Sequence, residues 1–561
     1  MKQPRIRVAL ALAAATVLGI GAAPSAVRAT DPDRPERVLI IVLDQARKDT
    51  IARYRMDNVR SLMTGGVSFP NAYLGHMAAE TVISHNVITS GLLPKHMGWS
   101  NEVHRDVAGT LGSPGAYYVT SSMSCSQFDA LIGAGGYLKL QDYLDAHFGD
   151  SSFASIAQKR TAACTGGHTA GPLDAGDFIF QIRGSGVSGS VTCDGITSTA
   201  WRRPEAVSRP AYIPDPNVCS RWWTRQSTTA EGLDYGTASQ APAWMYPLEG
   251  NRFMPGADPG HLGGDVWSAD AAIEVIENDP EWRGMLVSLG AIDKMGHMWG
   301  PNDRADSDTH LPAIARLADE QVGRIVAALD AAGQLDETLI VITADHGAQT
   351  GRRFHGVNEA FRSDFNWYCG KDADETYLSP SPAIAAFRDA LGGDCDPSTA
   401  GGGLDFTYQD AHIAAWLSDT SLASLQTAAT AMLDLPDVVA AYYRDGDRYV
   451  RHGGLGKMTG GERRWFTLHA QELVDTMAAP FGPDVVGLLR DDTTYGVYGD
   501  HGGHQEQVQS IPIIFSWPGL APSTPSTALR SVDILPTILD AMGIAYDPTS
   551  VDGRAFSLPF A

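Results

Sequence analysis

Residues 38–44 read Val-Leu-Ile-Ile-Val-Leu-Asp, six apolar side chains that end at a carboxylate. An apolar run of this length predicts a strand that is buried on both faces of a sheet. The pattern recurs in residues 285–292, which end at Asp293, and in residues 339–343, which end just before Asp345. Open α/β sheets place their sites at the carboxyl ends of such strands, so a site is expected there.

The segments around these runs complete an α/β pattern. Apolar residues recur at helical spacing over residues 311–332, and Gly333 then provides a stop signal. Residues 511–515 predict another buried strand and residues 532–542 a helix. The expected fold class is therefore α/β, with a central, mostly parallel sheet and helices on both faces.

Two less regular regions interrupt the pattern. Residues 105–264 are rich in Gly, Ser, Thr and Pro and are predicted to be a disulfide-rich insertion over the site. Their tryptophans could stack on a nucleobase, but the preferred interpretation is a small core of the insertion itself. Residues 364–489 predict a small α+β subdomain. The predicted division is a signal peptide (1–29), a catalytic core (36–363) that carries the insertion (105–264), the subdomain (364–489) and a return to the core (490–561).

The first 29 residues have a basic start, an apolar run and then small residues, which is the pattern of a secretory signal peptide. The run is shorter than the roughly 20 apolar residues of a membrane span, and no comparable stretch follows. A secreted or periplasmic protein without a transmembrane anchor is expected. The six cysteines predict disulfides in that oxidising compartment, and Cys369 with Cys395 would close a short loop.

The charge balance limits the partners. Lys and Arg number 42 against 65 Asp and Glu, which gives a net charge of −23. Binding to a nucleic-acid duplex requires a basic face, so it is not expected.

Two short motifs carry residue types that bind metal ions. Asp293-Lys-Met-Gly-His297 is interpreted as a glycine-containing turn after a strand, and Asp345-His346-Gly347 follows another strand. Carboxylate oxygen and imidazole nitrogen together suit zinc, and also manganese or iron. With Asp44 and a later histidine the set holds three aspartates and three histidines, enough for two ions with open coordination positions.

The order of these motifs resembles the alkaline phosphatase superfamily, in particular its type I phosphodiesterase and nucleotide pyrophosphatase branch. An alkaline phosphatase-like sheet is the fold that this resemblance implies. The resemblance rests on residues 38–45, Glu80-Thr81 through Thr89-Ser90-Gly91-Leu-Leu-Pro94, 293–297, Thr343-Ala-Asp345-His346-Gly347, Asp500-His501-Gly502-Gly503 and 531–537.

The resemblance implies a role for each matched residue. One ion would be bound by Asp293, His297 and His501, and the other by Asp44, Asp345, His346 and the Thr81 oxygen. His504 competes with His501 for the last position. His501 is preferred because His-Gly-Gly, followed about ten residues later by Ile-Pro, resembles the closing motif of the family.

Thr81 lies ten residues before Gly91, the spacing of the nucleophile in this branch. A threonine hydroxyl is a poor nucleophile at neutral pH, so two metal ions, zinc preferred, would favour the alkoxide and neutralise the leaving oxygen. A covalent phosphothreonine would form and be hydrolysed. Asn101 stands where the branch has an asparagine that binds a phosphate oxygen, one residue closer than expected; the alternative is a turn asparagine.

The expected activity is hydrolysis of a small phosphate diester or pyrophosphate, such as a nucleotide-like substrate. Sulfatases of the superfamily need a Cys or Ser nucleophile, which Thr81 replaces. A phosphomonoesterase on the same site is the alternative. Such enzymes differ from diesterases in placing extra cationic groups around the dianionic phosphate. Two rivals are a non-catalytic binding protein and a transferase that passes the group to an acceptor. The sequence leaves the oligomeric state open.

Overall fold

The computed structural model describes residues 33–149, 151–167, 177–182, 186–193, 195–213, 217–227, 243–245, 262–299, 310–349, 351–355, 370–371, 377–378, 382–392, 403–496 and 499–561. The predicted signal peptide and the predicted Cys369–Cys395 pair lie outside these residues.

An eight-stranded sheet forms the centre of the molecule. In spatial order its strands are Glu205–Ala206, Phe178–Gln181, Ser152–Ala157, Trp282–Leu289, Arg37–Leu43, Thr338–Thr343, Ile513–Ser516 and Val67–Ser68. The five strands from Phe178–Gln181 to Thr338–Thr343 are parallel, and the remaining pairings are antiparallel. The α/β fold with a mostly parallel central sheet is therefore confirmed.

Every residue of the strand Arg37–Leu43 is buried, as the continuous apolar run predicts. Ile156 and Ala157, neighbours on another central strand, belong to different apolar clusters. Side chains of successive strand residues point to opposite faces, so both faces of the sheet are covered.

Helices surround this sheet and the connections between its strands. The predicted helix over residues 311–332 is confirmed as His310–Ala331, and the one over residues 532–542 as Ile534–Met542. The other α-helices are Thr50–Arg53, Asp57–Gly65, Thr81–Ser90, Cys125–Gly135, Leu140–Phe148, Arg160–Gly166, Leu262–Asn278, Ala291–Trp299, Pro382–Ala390, Leu422–Leu433, Gly460–Asp475 and Glu506–Gln509. Short 3₁₀ turns cover Pro94–His96, Thr120–Ser122, Leu335–Glu337 and Ser531–Asp533.

A second, five-stranded sheet lies within the predicted α+β subdomain. Its order is Leu404–Gln409, His412–Leu417, Val485–Leu489, Val438–Asp445 and Arg448–Gly454, and all of its pairings are antiparallel. The helix Leu422–Leu433 packs on it. The boundaries of the subdomain stay a prediction.

Residues 105–264, predicted as an insertion, also supply three strands of the central sheet. Ser152–Ala157, Phe178–Gln181 and Glu205–Ala206 all come from this stretch. Small two- and three-stranded sheets are formed by Val103–Arg105 with Tyr117–Val119, Val191–Cys193 with Ile196–Ser198, Trp201–Arg202 with Thr224–Ser227 and Ala243–Met245, Arg353–Phe354 with Thr493–Thr494, and Gly370–Lys371 with Tyr377–Leu378.

Two disulfides cross-link this stretch, so the predicted presence of disulfides is confirmed. Cys125 pairs with Cys164 and Cys193 with Cys219. Trp201 packs with the second disulfide in a small apolar cluster, which fits the interpretation of the tryptophans as core residues. Within the described part of the chain, every helix is too short or too polar to span a bilayer.

Candidate active site and metal centre

Three aspartates lie at the carboxyl edge of the central sheet. Asp44 follows the strand Arg37–Leu43, and the strands on its two sides lead to Asp293 and Asp345. Each of the three carboxylates is at most 2% exposed. Since water cannot solvate these charges, they need partners within the protein or a bound cation.

The segment that carries Asp293 and His297 is a helix, Ala291–Trp299, so the turn predicted there is wrong. Residues four apart lie on the same face of a helix, which brings the two side chains together. His297 Nε2 is 3.1 Å from Asp293 Oδ1. The helical spacing thus pairs the two proposed ligands more directly than a turn would.

Asp293, His297 and His501 form one group of converging ligand atoms. His501 Nε2 is 3.3 Å from His297 Nε2 and 3.6 Å from Asp293 Oδ1. Zinc bonds of 2.0–2.1 Å in a tetrahedral arrangement separate ligand atoms by about 3.3 Å. The triangle therefore has the size of three ligands around one ion.

Asp44, Asp345, His346 and Thr81 form a second group around one imidazole nitrogen. His346 Nε2 lies 3.7 Å from Asp44 Oδ1, 3.5 Å from Asp345 Oδ2 and 3.5 Å from Thr81 Oγ1. The His346 ring also stacks on His501 at a centroid distance of 3.7 Å, so the two groups adjoin.

The second group carries excess negative charge that a cation would balance. Burial raises the pKa of Asp44 well above its usual range, and the neighbouring Asp345 carboxylate raises it further. Asp44 Oδ1 and Asp345 Oδ2 accept no hydrogen bond from any residue in the described ranges. Burial also lowers the pKa of His346 to about 3, which keeps its imidazole in the neutral form that binds metals. These residues therefore fit a bound divalent ion.

Thr81 is the first residue of the helix Thr81–Ser90 and is 7% exposed. The amino end of a helix carries a partial positive charge and free N–H groups, which favour an anion such as phosphate. The ring of His85, one turn further on, bonds the Thr81 carbonyl through Nδ1 at 2.8 Å and Ser288 Oγ through Nε2 at 3.1 Å. The amino end of the helix is thereby tied to the central sheet beside both ligand groups.

Lys159 also lies among these residues, although the sequence analysis did not identify it. Its Nζ is 2.7 Å from Asp44 Oδ2 and 2.6 Å from Asp293 Oδ2, and it donates a hydrogen bond to Thr81 Oγ1 at 3.0 Å. Burial works against the charge, but the Asp293 and Asp44 carboxylates raise the pKa of Lys159 above its ordinary value. The side chain is thus an ammonium between the two groups.

Asn101 is buried. In the described part of the chain its side-chain amide hydrogen-bonds residues other than Thr81. Its Nδ2 lies 2.9 Å from His412 Nε2, on the second sheet. An amide nitrogen carries two hydrogens, and the second N–H of Asn101 donates to the sulfur of Met477, a weak acceptor 3.9 Å from Nδ2. Its role in binding phosphate stays a prediction.

The two candidates for the last ligand, His501 and His504, lie in different surroundings. His504 is buried with its ring edge-on to Phe466 at 5.5 Å, and its backbone carbonyl accepts a hydrogen bond from Trp465. His501, in contrast, points into the group of Asp293 and His297.

Comparison with known proteins identifies the family of this chain. The sequence model of the family "Type I phosphodiesterase / nucleotide pyrophosphatase" matches residues 38–391. Alkaline phosphatase PhoD of Zymomonas mobilis subsp. mobilis is 24% identical over 573 residues, which cover 96% of this chain and 90% of that protein. Alkaline phosphatase PhoK of a Sphingomonas species is 24% identical over 554 residues, which cover 93% and 91%.

The wild-type alkaline phosphatase PafA has a similar fold, with a TM-score of 0.58 and 16% identity over 93% of this chain and 98% of that one. At this identity the likeness shows the fold alone. Fold, ligand groups and family together define a metal-dependent phosphoric ester hydrolase of the alkaline phosphatase superfamily. Within it, the chain belongs to the type I phosphodiesterase/nucleotide pyrophosphatase family.

Proposed function

We propose that the protein is an exported phosphatase that hydrolyses small phosphate monoesters, with Thr81 as nucleophile and two bound divalent ions, zinc preferred. The observation that carries the monoester assignment is the position of Lys159, whose ammonium lies 3.0 Å from Thr81 Oγ1. The sequence motifs predict a diester or pyrophosphate as substrate, but Lys159 lies outside those motifs.

Asp293, His297 and His501 would hold one ion, and Asp44, Asp345, His346 and Thr81 the other. Bound there, the two ions would supply Lewis acidity at the attacking and leaving oxygens. The converging distances within each group support this division. Mixed carboxylate and imidazole ligands support zinc over magnesium or calcium, which prefer all-oxygen sites.

In the proposed reaction the Thr81 oxygen attacks phosphorus as the bond from phosphorus to the leaving oxygen breaks. The departing alcohol takes up a proton, and Thr81 becomes phosphothreonine. Water then attacks the same phosphorus, so that phosphate leaves and the hydroxyl of Thr81 is restored. The amino end of the helix Thr81–Ser90 would stabilise the charge on the phosphoryl oxygens. The Asn101 N–H that faces Met477 would exchange that weak acceptor for one of these oxygens.

Lys159 supports a monoester because that substrate brings two negative charges to the site. The ammonium of Lys159 pairs with the carboxylates of Asp44 and Asp293, beside Thr81. With divalent ions held by those carboxylates, Lys159 would be available to pair with the substrate phosphate. A dianion gains more from this cation than a diester, which carries one negative charge and a second substituent. The names of the PhoD and PhoK relatives also support a phosphatase.

A second candidate is hydrolysis of phosphate diesters or pyrophosphates, which the family description names. A non-catalytic binding protein is less well supported, because all seven proposed ligand positions, Thr81 included, hold suitable residues. Export is supported by the two disulfides, which persist in oxidising compartments.

The test compares p-nitrophenyl phosphate with bis-p-nitrophenyl phosphate in zinc-loaded wild type and Lys159→Met. We expect wild type to have the higher kcat/KM for the monoester. Lys159→Met should lower this value by about 100-fold, and the diester value by less than about tenfold. A wild-type preference for the diester, or an equal loss for both substrates, would refute the monoester assignment.

A further inference from the structure

Gln45 links the segments that carry the two ligand groups. It directly follows Asp44, is 4% exposed, and has a φ of 66° in the left-handed region that residues with a side chain rarely adopt. We propose that Gln45 is a positioning residue for the metal centre: its side-chain amide orients Asp293 and holds it against the segment of His501. This inference rests on the proposed two-metal site.

The backbone of Gln45 acts on the second group. Its N–H donates to Asp345 Oδ1 at 3.1 Å, and the N–H of His346 donates to the same oxygen at 3.0 Å. With Oδ1 occupied twice, Asp345 Oδ2 is the oxygen that faces the imidazole of His346. Any residue except proline at position 45 retains this contact.

The side chain of Gln45 acts on the first group. Its Nε2 donates to Asp293 Oδ1 at 3.1 Å and to the carbonyl of Gly499 at 2.8 Å. Asp293 Oδ1 is also the oxygen that lies 3.1 Å from His297 Nε2, and Gly499 precedes His501 by two residues. One amide therefore fixes both a ligand oxygen and the loop that supplies a second ligand.

The side-chain amide of Gln45 packs closely against glycine residues of the neighbouring segments. A Cβ added to Gly296 would overlap Gln45 Oε1, and one added to Gly499 would overlap the carbonyl of Gly296. The glycine in Asp293-Lys-Met-Gly-His297 thus lets the helix pass over the glutamine side chain. Removing such hydrogen bonds to metal ligands typically lowers metal affinity about 10–100-fold.

The test measures Zn²⁺ binding to metal-free protein by competition with a chromophoric chelator. Gln45→Met keeps the length of the side chain and the backbone N–H but cannot donate to Asp293. We expect it to weaken one of the two sites by about 10–100-fold, with the other site within about threefold. Gln45→Gly, which relieves the left-handed backbone, should show the same loss, because the amide is responsible and not strain.

The His501→Ala background identifies the affected site, because that variant lacks a ligand of the first group. Adding Gln45→Met to it should not weaken the remaining site. Unchanged affinity at both sites in Gln45→Met, equal losses at both, or a further loss in the His501→Ala background would each overturn the role of Gln45. Wild type that binds fewer than two ions would instead refute the proposed metal centre.

Discussion

The ammonium of Lys159 donates a hydrogen bond to the hydroxyl of Thr81 at 3.0 Å, although the two residues are 78 positions apart in the chain. Thr81 begins one helix, and Lys159 directly precedes another, Arg160–Gly166. The two helices pack against each other. The proposed nucleophile and its nearest cation are thus positioned by one helix–helix contact.

A disulfide links the helix after Lys159 to a third helix. Cys164, on the helix that follows Lys159, is bonded to Cys125 on the helix Cys125–Gly135. The double variant Cys125→Ala/Cys164→Ala is expected to lose about 2–4 kcal/mol of unfolding free energy and also monoester kcat/KM, because Lys159 is less firmly held. Thermal unfolding and kinetics check both effects.

The matched control for that experiment is Cys193→Ala/Cys219→Ala, which removes the other disulfide. The bond Cys193–Cys219 packs with Trp201 and involves neither helix. This variant should lose stability but keep most of its activity per folded molecule. Equal losses of activity in the two double variants would contradict the link between Cys164 and Lys159.

The last metal ligand can be tested by metal content. His501→Ala removes a ligand atom of the first group, so about one ion per chain should be lost after dialysis at limiting free zinc. His504→Ala, three residues away, removes a ring that packs on Phe466 and should retain the wild-type content. Elemental analysis of both variants gives the answer, and the reverse pattern would make His504 the ligand.

Asn101 is expected to contribute to phosphate binding through the N–H that faces the weak acceptor Met477. Asn101→Ala should lower kcat/KM by about 100-fold while the metal content stays at the wild-type value. Steady-state kinetics and elemental analysis on the same samples separate the two effects. A change of less than about threefold would favour the alternative, a buried asparagine with a structural role that bonds His412 and Met477.

Asp265 gives the stability a specific pH dependence. Its Oδ1 accepts hydrogen bonds from Gln158 at 2.9 Å and from the N–H of Ala291 at 3.2 Å, yet burial raises the pKa of Asp265 from 3.8 to about 7. The folded state then holds the proton more tightly than the unfolded chain. The contribution of protonated Asp265 to the free energy of unfolding is complete below pH 3.8 and is lost as the pH rises through 7.

The side chain of Asp265→Asn stays neutral at every pH. The free energy of unfolding of this variant should therefore rise relative to that of wild type between pH 4 and 7. The gain is at most roughly 1.4 kcal/mol per pH unit. Thermal unfolding of both proteins in EDTA from pH 4 to 8 measures it. A difference in Tm that does not change with pH would mean that Asp265 is not protonated in the fold.

Much of the site could be predicted because its ligands follow long apolar strands. Asp44 and Asp345 each follow such an apolar run. Neighbouring parallel strands have their carboxyl ends at the same edge of the sheet, whatever sequence connects them. Lys159 follows the strand Ser152–Ala157, which reads Ser-Phe-Ala-Ser-Ile-Ala and lies in a stretch rich in Gly and Ser. Because serines interrupt its apolar residues, this strand was not predicted. The position of Lys159 at its carboxyl end was therefore not predicted either.

The helix Ala291–Trp299 was predicted as a turn for a related reason. Gly296 weakens a helix in isolation, and local sequence does not show that the side chain of Gln45, about 250 positions earlier, fills the space beside it. The disulfide pairs Cys125–Cys164 and Cys193–Cys219 likewise depend on tertiary structure. Contacts between distant segments, and not local propensity, decided each of these points.

The central claim, catalysis by Thr81 through a covalent intermediate, is tested most directly by trapping that intermediate. Zinc-loaded enzyme is mixed with p-nitrophenyl phosphate, quenched in acid during turnover and digested for peptide mass spectrometry. We expect phosphate on Thr81 of wild type, none in Thr81→Ala, and a fall in kcat of at least about 1,000-fold in that variant. Phosphate on another residue, or a Thr81→Ala variant with undiminished turnover, would contradict the account.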